Sequence, residues 1–179
     1  MTGSVANEEP LLGGQGVSSD YRSTEDSLET ILLPVGFSNE DRTRALADAA
    51  AQIAGPMCST VHVLHVFTTR GFERIVEQLG YDPASPPEPD EVVTRILAVR
   101  ETARELTDPF RNYGVTVKIE GRVADAVGSE IAAVADEIGA SRILVGGRRR
   151  SPTGKALFGS TSQQVMSEAP CPVTFVPDP

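Results

Sequence analysis

At 179 residues and 40% hydrophobic content, the chain is long enough for one well-buried core and short for two. A net charge of −9 excludes general nucleic-acid binding, because a phosphate backbone demands a cationic footprint. No run approaches the roughly 18 consecutive apolar residues of a membrane helix, and the first ten residues lack the basic start and apolar run of a secretory signal, so no membrane partner and a cytoplasmic location are expected.

Among sixteen basic residues only Lys118 and Lys155 are lysines, and acid-rich, lysine-poor composition suits high salt, where carboxylates keep the surface hydrated and their repulsion is screened. An ordinary acidic cytoplasmic protein has much the same composition. Residues 1–27 are rich in Gly, Ser, Glu and Asp with little periodicity and read as a disordered or loosely packed extension; Leu11 and Leu12 are its apolar pair. The folded domain is expected over residues 28–179.

From Thr30 onward strand and helix patterns alternate, which predicts an open five-stranded parallel sheet with helices on both faces. Residues 31–35 are apolar throughout, as a central strand covered on both sides requires. Ser38 with Asp41 resembles a capping box; Leu46, Ala49, Ala50 and Ile53 form a helical stripe that Gly55 and Pro56 end. Residues 61–67 make the second strand. The proline-rich stretch 81–90 predicts a surface loop between a short helix and a longer one, whose stripe is Val92, Ile96, Val99, Ala103 and Leu106. Residues 115–119 predict the third strand, and Ala126, Val127, Ile131, Val134 and Ile138 the next helical face before Gly139 and a fourth strand at 143–145.

That fourth strand runs into a glycine- and arginine-rich loop. Gly146 and Gly147 are expected to let the backbone turn sharply, and Gly159, Ser160 and Thr161 to open a helix. The first amides of a helix lack internal acceptors and, with the helix dipole, attract an anion; the Ser160 hydroxyl adds a donor. In open parallel sheets ligands bind beyond the carboxyl ends of strands where strand order reverses. The candidate site is therefore Pro34, Val35, Gly36, Val66, Gly146, Arg148, Arg149, Gly159, Ser160, Thr161 and Ser162. Arg148, Arg149 and Arg150 have two readings: direct anion contact, or a solvated loop paired with neighbouring carboxylates. The stretch Thr153-Gly-Lys-Ala is no P-loop, since six residues separate Gly147 from Gly154 and Ala156 lacks the magnesium-binding hydroxyl.

These residues carry a resemblance to the universal stress protein family. Its nucleotide loop reads Gly, two residues, Gly, nine residues, Gly, then Ser or Thr; Gly146, Gly159 and Ser160 fall on that spacing, with Arg149 in place of the middle glycine. The segment Ile31-Leu-Leu-Pro-Val-Gly-Phe-Ser resembles the family's first strand and turn, with Gly36 where nucleotide binders usually carry an acidic residue. The triplet Gly121-Arg-Val resembles its turn beside the ribose and phosphates, and Ala-Pro-Cys171-Pro-Val its last connection.

The resemblance implies a Rossmann-like, adenine nucleotide alpha hydrolase-like fold, a role in stress response, and ATP or another adenine nucleotide as ligand. It also implies a homodimer in which Val173, Thr174, Phe175 and Val176 pair antiparallel with a second copy; an uncovered edge strand would leave backbone groups unsatisfied. Two functions follow: a nucleotide-binding regulator in which Arg149 compensates for the lost glycine, or a nucleotide-independent dimeric adaptor acting through an unknown protein partner. Slow ATP hydrolysis is the third. No nucleophile and base fall in a catalytic spacing, so no further enzyme activity is expected, and no metal cluster is apparent. Cys58 and Cys171 read as apolar fillers. His62 and His65, three apart on a strand, face opposite sides and cannot chelate one ion; His65 borders the expected site.

Overall fold

The computed structural model describes residues 29–37, 40–57, 59–99, 102–111, 113–147 and 158–179. The N-terminal extension, Ser38, Cys58, Arg148, Arg149, Arg150 and the 153–156 stretch lie outside them.

Five parallel strands form one sheet in the order β3-β2-β1-β4-β5: β1 (Thr30–Pro34), β2 (Thr60–Phe67), β3 (Thr116–Val123), β4 (Arg142–Gly147) and β5 (Val173–Pro177). The central strand is buried on both faces because its residues alternate between two cores. Ile31 and Leu33 face α1 (Glu40–Met57), α2 (Thr69–Gln78), α3 (Pro89–Val99) and α4 (Thr102–Arg111). Leu32 faces α5 (Val127–Glu137) and α6 (Ser160–Glu168), against Ile131 and Val165. Each such leucine or isoleucine contributes roughly 1.5–3 kcal/mol on burial.

Several local expectations are corrected. Proline 89 and Asp90 form the first turn of α3 rather than loop, since proline's missing N–H costs nothing at a helix start. The stripe expected on the longer helix falls on α3 and α4, and residues 100 and 101 between them lie outside the described residues. Helix α1 runs on through Gly55 and Pro56 to Met57. The third strand continues past Ile119, so Gly121, Arg122 and Val123 are strand paired with His65, Val66 and Phe67, not a turn at the ligand. Here α3 crosses so close to β3 that a Cβ on Gly121 would collide with the Pro89 carbonyl, and the Gly121 N–H donates to the Asp90 carboxylate (2.6 Å). Arg122 pairs with Glu120 (2.6 Å) and Glu137 (3.0 Å), away from the cleft.

Gly146 and Gly147 likewise belong to β4, in register with Val176 and Pro177. Their small size serves packing. A Cβ at Gly146 would lie 2.9 Å from Leu46 and 3.1 Å from Arg42, and one at Gly147 would lie 3.2 Å from the Phe175 ring. Among the described residues no helix is long and apolar enough to cross a membrane.

Candidate functional site

The cleft arises from a splay between two strands. Strand β1 pairs with β2 as far as Pro34↔Leu64, but with β4 only through Ile31↔Arg142 and Leu32↔Ile143. Beyond Leu32 the two central strands separate at their carboxyl ends, where the chain order reverses, and a cleft of about 390 Å³ opens. Its size lies in the ordinary range for small-molecule sites, about 300–1,000 Å³.

Every described residue of the sequence-derived site lines this cleft: Pro34, Val35 and Gly36 after β1, Val66 on β2, Gly146 on β4, and Gly159, Ser160, Thr161 and Ser162 at the start of α6. The turn is tied to β2 and α1, with Val35 N–H donating to Leu64 C=O (2.8 Å) and the buried Thr43 hydroxyl to Gly36 C=O (3.2 Å). At α6 the first intrahelical bond runs from Gln163 N–H to Gly159 C=O (3.0 Å), so the three preceding amides have no helical acceptor. Ser160 and Thr161 are exposed, whereas buried Ser162 donates its hydroxyl to Gly146 C=O (3.4 Å) and ties α6 to β4. Of the three hydroxyls, those of Ser160 and Thr161 belong to exposed residues of the lining.

Arg42, Leu46, Leu64, His65, Val127, Ile131, Val145 and Gly147 complete the lining. Sequence reasoning reached His65 only as a neighbour, and missed Arg42. One signal existed: Arg42 stands one helical turn before core residue Leu46 and shares its inward face. Its Nε and Nη2 donate to the two oxygens of Asp178, both at 2.7 Å. This carboxylate raises the Arg42 pKa further, against the opposing effect of burial.

His65 donates from Nδ1 to Val35 C=O (2.7 Å), which requires the proton on Nδ1 and leaves Nε2 an acceptor. Its ring stacks on Phe37 and meets Phe67 edge-on, both at 4.3 Å. Burial lowers its pKa despite the bond to Val35, so it is neutral at neutral pH. His62 points to the other face, 3.9 Å from Glu120; burial and then Lys118 lower its pKa. Asp125 is exposed and accepts from the Thr69 N–H (2.9 Å) at the start of α2. Cys171 is half-buried and its thiol is pushed up by burial, which keeps it a poor nucleophile. Among the described residues no group of three or more His, Cys, Asp or Glu is placed to hold a metal ion.

The fold and its splayed central strands define an α/β protein with a cleft at the switch point of the sheet. Residues 27–177 match the model of the universal stress protein family, and the chain belongs to that family. The universal stress protein in the QAH/OAS sulfhydrylase 3′ region of Thermus aquaticus is 32% identical over 149 residues, covering 83% of this chain and 98% of the relative. The structure of a universal stress protein from Archaeoglobus fulgidus superposes with a TM-score of 0.57 at 27% identity, over 83% of this chain and 98% of that one. A second structure from that organism, solved in complex with dAMP, gives 0.55 at 21% identity, over 83% and 97% of the two chains; at that identity the likeness is one of fold.

Proposed function

We propose that this chain is a regulatory binding module of the stress response that takes an adenine nucleotide, or a smaller anion, in the cleft between β1 and β4. The observation that carries the reading is the convergence of Gly159, Ser160 and Thr161 at the opening of α6 on a cleft already shaped by Pro34, Val35, Gly36 and Val66. The unpaired first amides and the positive end of the helix dipole meet the phosphates, and the apolar walls Leu64, Val66, Val127 and Ile131 take the base. A relative of the same fold, solved with dAMP, supports the same ligand class.

The protein works as a homodimer. Strand β5 ends the sheet, all five of its residues are half-buried, and a second copy added antiparallel through Val173, Thr174, Phe175 and Val176 covers the edge.

Calorimetric titration of the stripped protein with ATP, AMP and cyclic AMP tests the nucleotide. Binding in the micromolar range, weakened about tenfold by Ser160→Ala, is expected, since a hydrogen bond to a charged group contributes roughly 1.5–3 kcal/mol. Silence from all three with a folded dimer selects the second reading, a nucleotide-independent adaptor. That reading is favoured by Gly36, which offers no carboxylate to a ribose, and by the carboxylate of Asp178 on Arg42.

A further inference from the structure

A second cleft, of about 760 Å³, lies beside the first, between the turn after β1, the end of β2, and helices α1, α2 and α3. Phe37, Phe67, Ile75 and Ile96 provide apolar wall; Arg74 and Gln78 of α2 border it on one side and the carboxylates Glu40 and Asp41 of α1 on another, so the cleft suits an uncharged ring better than a phosphate. Two residues, Gly36 and His65, line both clefts. At Gly36 a Cβ would find nothing within 4 Å, so among the described residues the space beside this shared position is open. Beside it the rings form a series: Phe37 on His65 and His65 against Phe67 at 4.3 Å each, then Phe67 to Phe72 at 5.4 Å. Such a series offers an incoming planar ring an offset or edge-on partner.

We propose that the two clefts act as one bipartite site across Gly36, and that the ligand is an adenine nucleotide carrying a second planar aromatic group. This inference rests on the nucleotide reading of the first cleft. The phosphate meets the start of α6, the nucleotide fills the smaller cleft, and the second ring passes Gly36 to lie against Phe37. The neutral His65 ring forms the shared wall and adds no charge for the passing group to desolvate.

The test compares AMP with two probes that carry a second ring differently, a ribose-linked N-methylanthraniloyl AMP and a diadenosine polyphosphate, titrated against the full chain. At least one probe is expected to bind about tenfold more tightly than AMP, the size that one stacked ring contributes. Whichever gains names the source of the ring. Phe37→Ala removes the stacking surface, and Gln78→Trp crowds the cleft from exposed α2 without touching the smaller one. Loss of the probe's advantage in these variants, with AMP affinity within about twofold of native in Gln78→Trp, supports the proposal. AMP binding without any gain for either probe overturns the bipartite site and leaves the nucleotide reading intact. A gain indifferent to both variants overturns the second cleft as its seat. Silence from AMP and both probes overturns the two together.

Discussion

Arg42, in the first turn of α1, grips Asp178, the residue after β5, through two hydrogen bonds of 2.7 Å across 136 positions of sequence. The Asp178 N–H in turn donates to Gly147 C=O (3.1 Å), so one C-terminal residue joins the helix, the end of β4 and the rim of the cleft. Removing the carboxylate with Asp178→Asn is expected to lower stability by about 1 kcal/mol, the upper end for a partly exposed pair. Because the carboxylate competes with any anion for Arg42, the same variant should raise nucleotide affinity, and Arg42→Met should lower it. Urea titration reads the first effect and calorimetry the second; changes of equal sign in the two variants would remove Arg42 from the anion's contacts.

The crossing of α3 over β3 depends on one hydrogen atom. A methyl at Gly121 would strike the Pro89 backbone, which cannot rotate away as a side-chain tip can. Gly121→Ala is therefore expected to cost about 1–3 kcal/mol, read as a lower urea midpoint with an unchanged slope. A neutral result would mean that the start of α3 yields freely.

His65 sets a pH dependence. Unfolded, its ring titrates near 6.5; folded, burial lowers the pKa. Below the unfolded value the unfolded chain binds the extra proton, so this stability is fully present above about pH 6.5 and is lost as pH falls toward the folded value. Thermal melts between pH 7.5 and 5 should decline more steeply in native protein than in His65→Gln, whose amide can still donate to Val35 C=O. Parallel profiles would count against a neutral buried ring.

At strand β5, Ile143 N–H donates to Pro172 C=O, so the N–H of Val173 points away from β4 toward the open edge. Val173→Pro removes that donor. Light scattering across a dilution series is expected to give twice the chain mass for native protein, with dissociation at higher concentration in the variant. A native monomer at every concentration would remove the dimer.

Net charge −9 predicts a melting temperature that climbs steeply between low and molar salt, because screening relieves repulsion among carboxylates. A flat response would identify an ordinary acidic surface.

Local pattern decided much of this protein. Three successive apolar residues, Ile31, Leu32 and Leu33, had to be a strand covered on both faces, and each is fully buried. Gly159-Ser-Thr had to open a helix, and that opening lies beside the turn after β1 because alternation with right-handed crossovers brings the carboxyl ends of β1 and β4 together. These features are legible because periodicity and capping act within a few residues. Tertiary structure alone decided the rest. Gly146 and Gly147 read as a turn, yet they are strand glycines kept small by Arg42, Leu46 and Phe175. Gly121 answers to Pro89, and Arg42 to Asp178. In each case the partner lies 28 or more positions away, and only close packing of distant segments determines which atoms a side chain meets.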